Sequence, residues 1–112
     1  MYLFVVLPVS TVHSILTSMI RSHQHSMSDL YELFASIENR KEAEMLLTDI
    51  LTPQELESVS ERWQLIQMLD AGVPQREIAK KLNVSISKIT RGSRMLQYGE
   101  GGFVHFLRKR RG

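Results

Sequence analysis

From Ser28 onward, apolar residues recur every three or four positions, the period of a helix with one face against a core. Asp29 is placed to cap a first segment carrying Leu30, Leu33, Phe34 and Ile37, which Asn39 and Arg40 interrupt. A second helix follows from about Lys41 to Ile50, its stripe of Ala43, Met45, Leu46, Leu47 and Ile50 broad enough for packing on two sides. The strongest helix start is Thr52-Pro53-Gln54-Glu55, where Thr52 caps, Pro53 is pre-set for the first turn and Glu55 can close a capping box. That helix runs through Leu56, Val59, Trp63, Leu65, Ile66 and Leu69 and stops near Gly72, suited to a left-handed C-terminal position. No stretch alternates as a strand would, so the fold expected is all-α.

Residues 1–27 read differently: apolar at Met1–Leu7, broken by Pro8, then rich in Ser, Thr and His. They are expected to form a loosely ordered arm, or to lie upstream of a natural start at Met27, leaving 28–112 as the domain. The apolar run lacks a basic leader and a cleavage site, and it is far too short to span a bilayer. No membrane partner is expected. His23 and His25 have no accompanying ligand cluster, so solvated histidines are expected rather than a metal pair.

The next segment, Gln75 to roughly Arg94, follows the helix-turn-helix template. With Gln75 as the first position, Ile78 and Leu82 are the apolar fourth and eighth, and Ala79 is the small fifth, where two helices approach closely. Asn83 is ninth, where the turn needs positive φ, which Asn tolerates. Val84, Ile89 and Gly92 complete the pattern, with Ser85 as cap of the second helix and Pro74 ahead of the first. Ile89 and Leu96 account for that second helix's core face, and Ser87, Lys88, Thr90, Arg91, Arg94 and Gln97 offer donors for phosphates and base edges. Lys80 and Lys81 can meet the flanking backbone.

Charge sharpens this reading. Residues 1–74 hold four Lys/Arg against ten Asp/Glu, whereas residues 75–112 hold ten against two. The basic character therefore sits with the helix-turn-helix, where it would attract a polyanion. The closing run Arg108-Lys109-Arg110-Arg111 is either a nucleic-acid or lipid contact or a frayed, solvated end; Phe103, Val104, Phe106 and Leu107 before it are expected to dock a last helix after the flexible Gly99–Gly102 stretch. The chain has no cysteine, which excludes disulfides, thiolate metal sites and cysteine nucleophiles and fits a reducing cytoplasm, the compartment expected. Ser85-Ile86-Ser87-Lys88 formally matches the Ser-x-x-Lys of some acyl-transfer enzymes, but none of the accompanying motifs is present. No enzyme is expected.

Ile89-Thr90-Arg91-Gly92-Ser93 resembles the signature within the recognition helix of the tryptophan repressor family. Gln75-Arg76-Glu77-Ile78, Leu51-Thr52-Pro53 and Arg62 also fall where that family keeps matching residues, and the resemblance spans roughly Ser28 to Leu107. It implies an intertwined homodimer of short helices, a double-stranded DNA operator, and L-tryptophan as corepressor in place of any cofactor. The corepressor site it implies comprises Leu51, Thr52, Arg62, Arg91, Gly92 and Met95. In that site Arg62 and Arg91 flank the indole, Arg91 and the Thr52 hydroxyl take the carboxylate, the Leu51 carbonyl takes the ammonium, and Gly92 leaves room for the ring. Toward DNA the expected contacts are Gln75, Arg76, Lys80, Ile86 and Ser87, together with Lys88, Thr90, Arg94 and Gln97. Three departures stand out: Met95 replaces a frequent serine, Asp49 replaces an apolar residue, and the Gly72–Gln75 link is one residue shorter than usual. Gly92 places the chain with the ligand-responsive members. Two other readings stay open: a repressor-like regulator indifferent to tryptophan, and a helix-turn-helix that docks on a protein.

Overall fold

A computed structural model describes residues 6–112. The described residues form six helices: α1 (Val9–Ala35), α2 (Arg40–Ile50), α3 (Pro53–Asp70), α4 (Gln75–Leu82), α5 (Ile86–Tyr98) and α6 (Gly102–Arg111), with no strand among them. The chain divides into two units, one up to Met45 and one from Leu46 to Gly112.

In the first unit, α1 begins directly after Pro8 and is continuous to Ala35. The start expected at Asp29 is thus absent, and residues 9–27, expected as a loose arm, are helical; the part of that expectation falling on residues 1–5 lies outside the described residues. The reason is local: no Gly or Pro occurs between Val9 and Asn39, so nothing in the sequence stops a helix once Pro8 has set its entry. The helix ends at Ser36, and Asn39 then opens α2 by accepting from the Glu42 backbone N–H at 2.9 Å, while the Glu42 carboxylate accepts from the Glu38 N–H at 3.1 Å. Neither α1 nor α2 contains a buried residue.

The second unit holds the core. Leu65 and Ile66 of α3, Ile78 of α4, Ile89 of α5 and Leu107 of α6 are its buried members, with Leu69, Ala79, Leu82, Val84, Leu96 and Phe103 packed around them. Each fully buried aliphatic side chain contributes about 1.5–3 kcal/mol of transfer free energy. The start of α3 is built as the sequence predicts: Thr52 Oγ1 accepts from the Glu55 N–H at 3.1 Å and the Glu55 carboxylate accepts from the Thr52 N–H at 2.9 Å. The Thr52 backbone N–H first, and the Thr52 hydroxyl second, favour the charged carboxylate and hold the Glu55 carboxyl below its ordinary pKa. At the other end Gly72 takes a φ of 82°, and the Gly72 and Val73 amides donate back to Leu69 and Met68, closing a Schellman turn.

The last helix departs from expectation in two respects. Leu107 and Phe103 dock, but Phe106 stays 53% exposed, its ring edge-on to His105. The basic run is solvated but helical rather than frayed, and two of its members reach back: Arg110 lies 5.8 Å over the Trp63 ring and Arg111 pairs with Asp70 at 2.6 Å. Both contacts tie α6 back to α3.

Candidate functional site

α4 and α5 are short helices separated by only three residues, the form expected of a helix-turn-helix. Asn83 ends α4 at φ 52° and ψ 48°, a left-handed conformation that costs most residues about 1–2 kcal/mol. Ser85 then caps α5, its Oγ accepting from the Lys88 N–H. Ile78 and Ile89, both completely buried, clamp the two helices to α3 from opposite sides of the turn. This leaves one face free: Gln75, Arg76, Lys80, Ile86, Ser87, Thr90, Arg94 and Gln97 are all exposed, whereas Lys88, expected beside them, is exposed but turns back toward Glu61 of α3. The Thr90 hydroxyl donates to the Ile86 carbonyl at 3.0 Å, so what it presents outward is an acceptor.

Behind that face, between α3, α5 and the start of α6, lies a cleft of about 360 Å³. Arg62, Arg91, Gly92 and Met95, four of the six residues expected at a ligand site, line it. Arg62 and Arg91 supply guanidinium groups from two different helices, and Leu65, Met95 and Phe103 supply apolar surface. Leu51 and Thr52 are not in the lining. Thr52 precedes α3 by one residue and Arg62 is ten residues further on, about 15 Å along a helix. A ligand beside Arg62 is therefore out of reach of Thr52 in the same chain. Asp49 is not in the lining either.

Sequence reasoning missed Ser58, Glu61, Leu65 and Phe103 as cleft residues, and it placed Lys88 only toward a partner. Glu61 is the acidic member of the lining, and its carboxylate meets the Lys88 ammonium at 3.2 Å across the cleft mouth. Ser58, Glu61, Arg62 and Leu65 follow i, i+3, i+4, i+7 spacing, so one face of α3 could have been read from Arg62 alone. Phe103 reaches the cleft only because α6 folds back, and it stacks on Trp63 with ring centroids 6.2 Å apart.

Gly92 has a constraint beyond room for a ligand. A Cβ built there would lie 2.5 Å from Leu65 Cδ2, 3.5 Å from Ile66 Cδ1 and 3.7 Å from Leu69 Cδ1. The missing side chain thus lets α5 approach α3 closely. Leu65 also lines the cleft, so crowding at position 92 alters the cleft through Leu65.

The described residues are thus all-helical, with a tight two-helix turn, an exposed face and a cleft behind it. The sequence pattern of the Trp repressor protein family matches residues 25–111, and this chain belongs to that family. It is 38% identical over 90 residues to a Trp operon repressor homolog of Actinobacillus succinogenes, covering 80% of this chain and 88% of that one. It is 45% identical over 65 residues to a Trp operon repressor homolog of Mannheimia succiniciproducens, covering 57% of this chain and 64% of the relative's length. The crystal structure of a TrpR-like protein from Eubacterium eligens superposes with a TM-score of 0.71 at 27% identity, over 76% of this chain and 88% of that chain. The chain is thus a Trp-repressor-like regulator and not an enzyme. Among the described residues no helix is long and apolar enough to cross a membrane.

Proposed function

We infer that this protein is a DNA-binding transcriptional repressor that works as a homodimer and takes L-tryptophan as corepressor. The observation that carries the reading is the cleft itself, two arginines and an apolar floor set against the inner side of the helix that faces outward with Ser87, Thr90 and Arg94. An indole fits between planar guanidinium groups, and Arg91 can pair with the ligand carboxylate. Glu61 is the acidic partner for its ammonium, a role that Met95 cannot fill. Thr52 and Leu51 enter such a site only from a second copy, and an intertwined dimer supplies them in that way.

In this mechanism the ligand wedges between α3 and α5 and fixes the attitude of α5. Two such helices about 34 Å apart meet successive major grooves of B-DNA. The ligand acts allosterically because it favours the DNA-competent spacing over others. Arg76, Lys80 and Arg94 contact phosphates, and Ser87, Thr90 and Gln97 approach base edges.

The test is calorimetric titration with L-tryptophan, run beside L-leucine, on the wild-type chain and on Arg91→Ala. Saturable, tryptophan-selective heat that Arg91→Ala abolishes is the expected result. Equal responses to both amino acids, or none, would overturn the ligand assignment while leaving the DNA face to be tested by salt-dependent binding to duplex DNA.

A further inference from the structure

α1 is 27 residues long and gives none of them to a core. Six of its apolar side chains nonetheless fall on one line, with Val12, Met19 and Leu33 beside it and Ile15 on the outer face. Counted in sevens, Val9, Leu16, Ile20, Met27, Leu30 and Phe34 occupy the two inward positions of a heptad, and only His13 and His23 break the series. That spacing is the one by which two helices wind about each other with side chains interlocked. Leu16 and Ile20 are 52% and 58% exposed. The charged residues of α1, Arg21, Asp29 and Glu32, all fall at outer positions, so the line and the positions beside it carry no charge.

Residues 9–24 precede the stretch shared with the family, which is 25–111. The line crosses that boundary in phase, since Ile20, Met27 and Phe34 are each seven residues apart. One continuous seam calls for one continuous partner.

We propose that the seam of α1, from Val9 through the family boundary, packs against the same seam of a second copy of this chain and so lengthens the dimer interface. This rests on the dimeric reading given above. A self-paired surface must tolerate its own charge, and this one has none to repel. A helix of this length runs about 40 Å, and pairing along it buries on the order of the 800 Å² per partner that a stable interface needs. A membrane surface is the poorer occupant, because such helices are rich in Lys and Arg on the polar face and Val9–Ala35 has only Arg21.

The experiment measures the dimer dissociation constant of the full chain by sedimentation equilibrium. The double substitution Leu16→Glu with Ile20→Glu is expected to raise it about tenfold or more, whereas Ser18→Glu with Ser22→Glu, on the outer face, leaves it unchanged. Mixing the seam-Glu chain with a Leu16→Lys, Ile20→Lys chain should restore association, which simple misfolding would not allow. An unchanged constant in the seam-Glu chain overturns the proposal and leaves the dimer standing. A wild-type chain that is monomeric at every concentration overturns the dimeric reading itself. Binding to phosphatidylglycerol vesicles that is lost in the seam-Glu chain, with dimerisation unaffected, would assign the seam to a membrane and overturn the proposal.

Discussion

α1 and the bundle of α3–α6 have similarly regular apolar spacing, yet one has no buried residue and the other holds the core. The difference lies in partners rather than in pattern. α3 is contacted by α4 and α5, and α5 in turn by α6, so the apolar stripes that meet around Ile66, Ile78 and Ile89 bury one another within the chain. A periodic stripe therefore states which face seeks burial and not what will bury it.

Cutting one side chain from each region should expose the contrast most strongly. Ile66 is completely buried, so Ile66→Ala is expected to cost about 2–5 kcal/mol in urea denaturation. Leu16→Ala should cost under about 0.5 kcal/mol in dilute monomer and more as concentration rises. Equal costs at every concentration would erase the distinction. Next in size is Gly92→Ala, where the new Cβ meets Leu65 and overpacking costs about 1–3 kcal/mol. Thermal denaturation and tryptophan titration should both register it, because Leu65 is shared by core and cleft. A change confined to ligand affinity would mean that α5 accommodates the methyl group and that Gly92 serves the ligand alone.

Asn83→Val forces a β-branched residue into a left-handed turn and should cost about 1–2 kcal/mol, whereas Asn83→Gly should be close to neutral. Thr52→Ala removes one half of the capping box and should cost about 1 kcal/mol. The same box has a pH signature. The Glu55 carboxyl lies below its ordinary pKa in the folded chain, so its stabilisation is complete above the normal carboxylate range and fades as pH falls through it. Glu55→Gln should flatten that part of a stability-against-pH curve. The smallest effect on stability is expected from Glu61→Gln: the exposed Glu61–Lys88 pair contributes at most about 1 kcal/mol. Tryptophan affinity should fall in the same variant, because Glu61 is the acidic group in the cleft that meets the ligand ammonium. Unchanged affinity in calorimetric titration would mean that the ammonium is held elsewhere.

Much of the second unit was legible because its signals are local. Thr52 and Glu55 cap within one turn, Gly72 and Asn83 mark left-handed positions, and Ser85 caps α5; each depends only on residues a few places away. The first unit was read less well for the same reason reversed. Ser, Thr and His between Pro8 and Ser28 looked like loop composition, but none of them stops a helix, and the seven-residue line runs through them.

The sequence by itself determined the helical class, the caps and turns around α3–α5, and the concentration of positive charge beyond Gln75, since these follow from backbone preferences and composition. Only the tertiary structure decided that Thr52 stands outside the cleft that Arg62 and Arg91 line, that Glu61 closes on Lys88, and that Gly92 is crowded by Leu65. Those relations join residues of different helices. They depend on how closely α5 lies on α3, and packing sets that distance rather than any one segment's propensity.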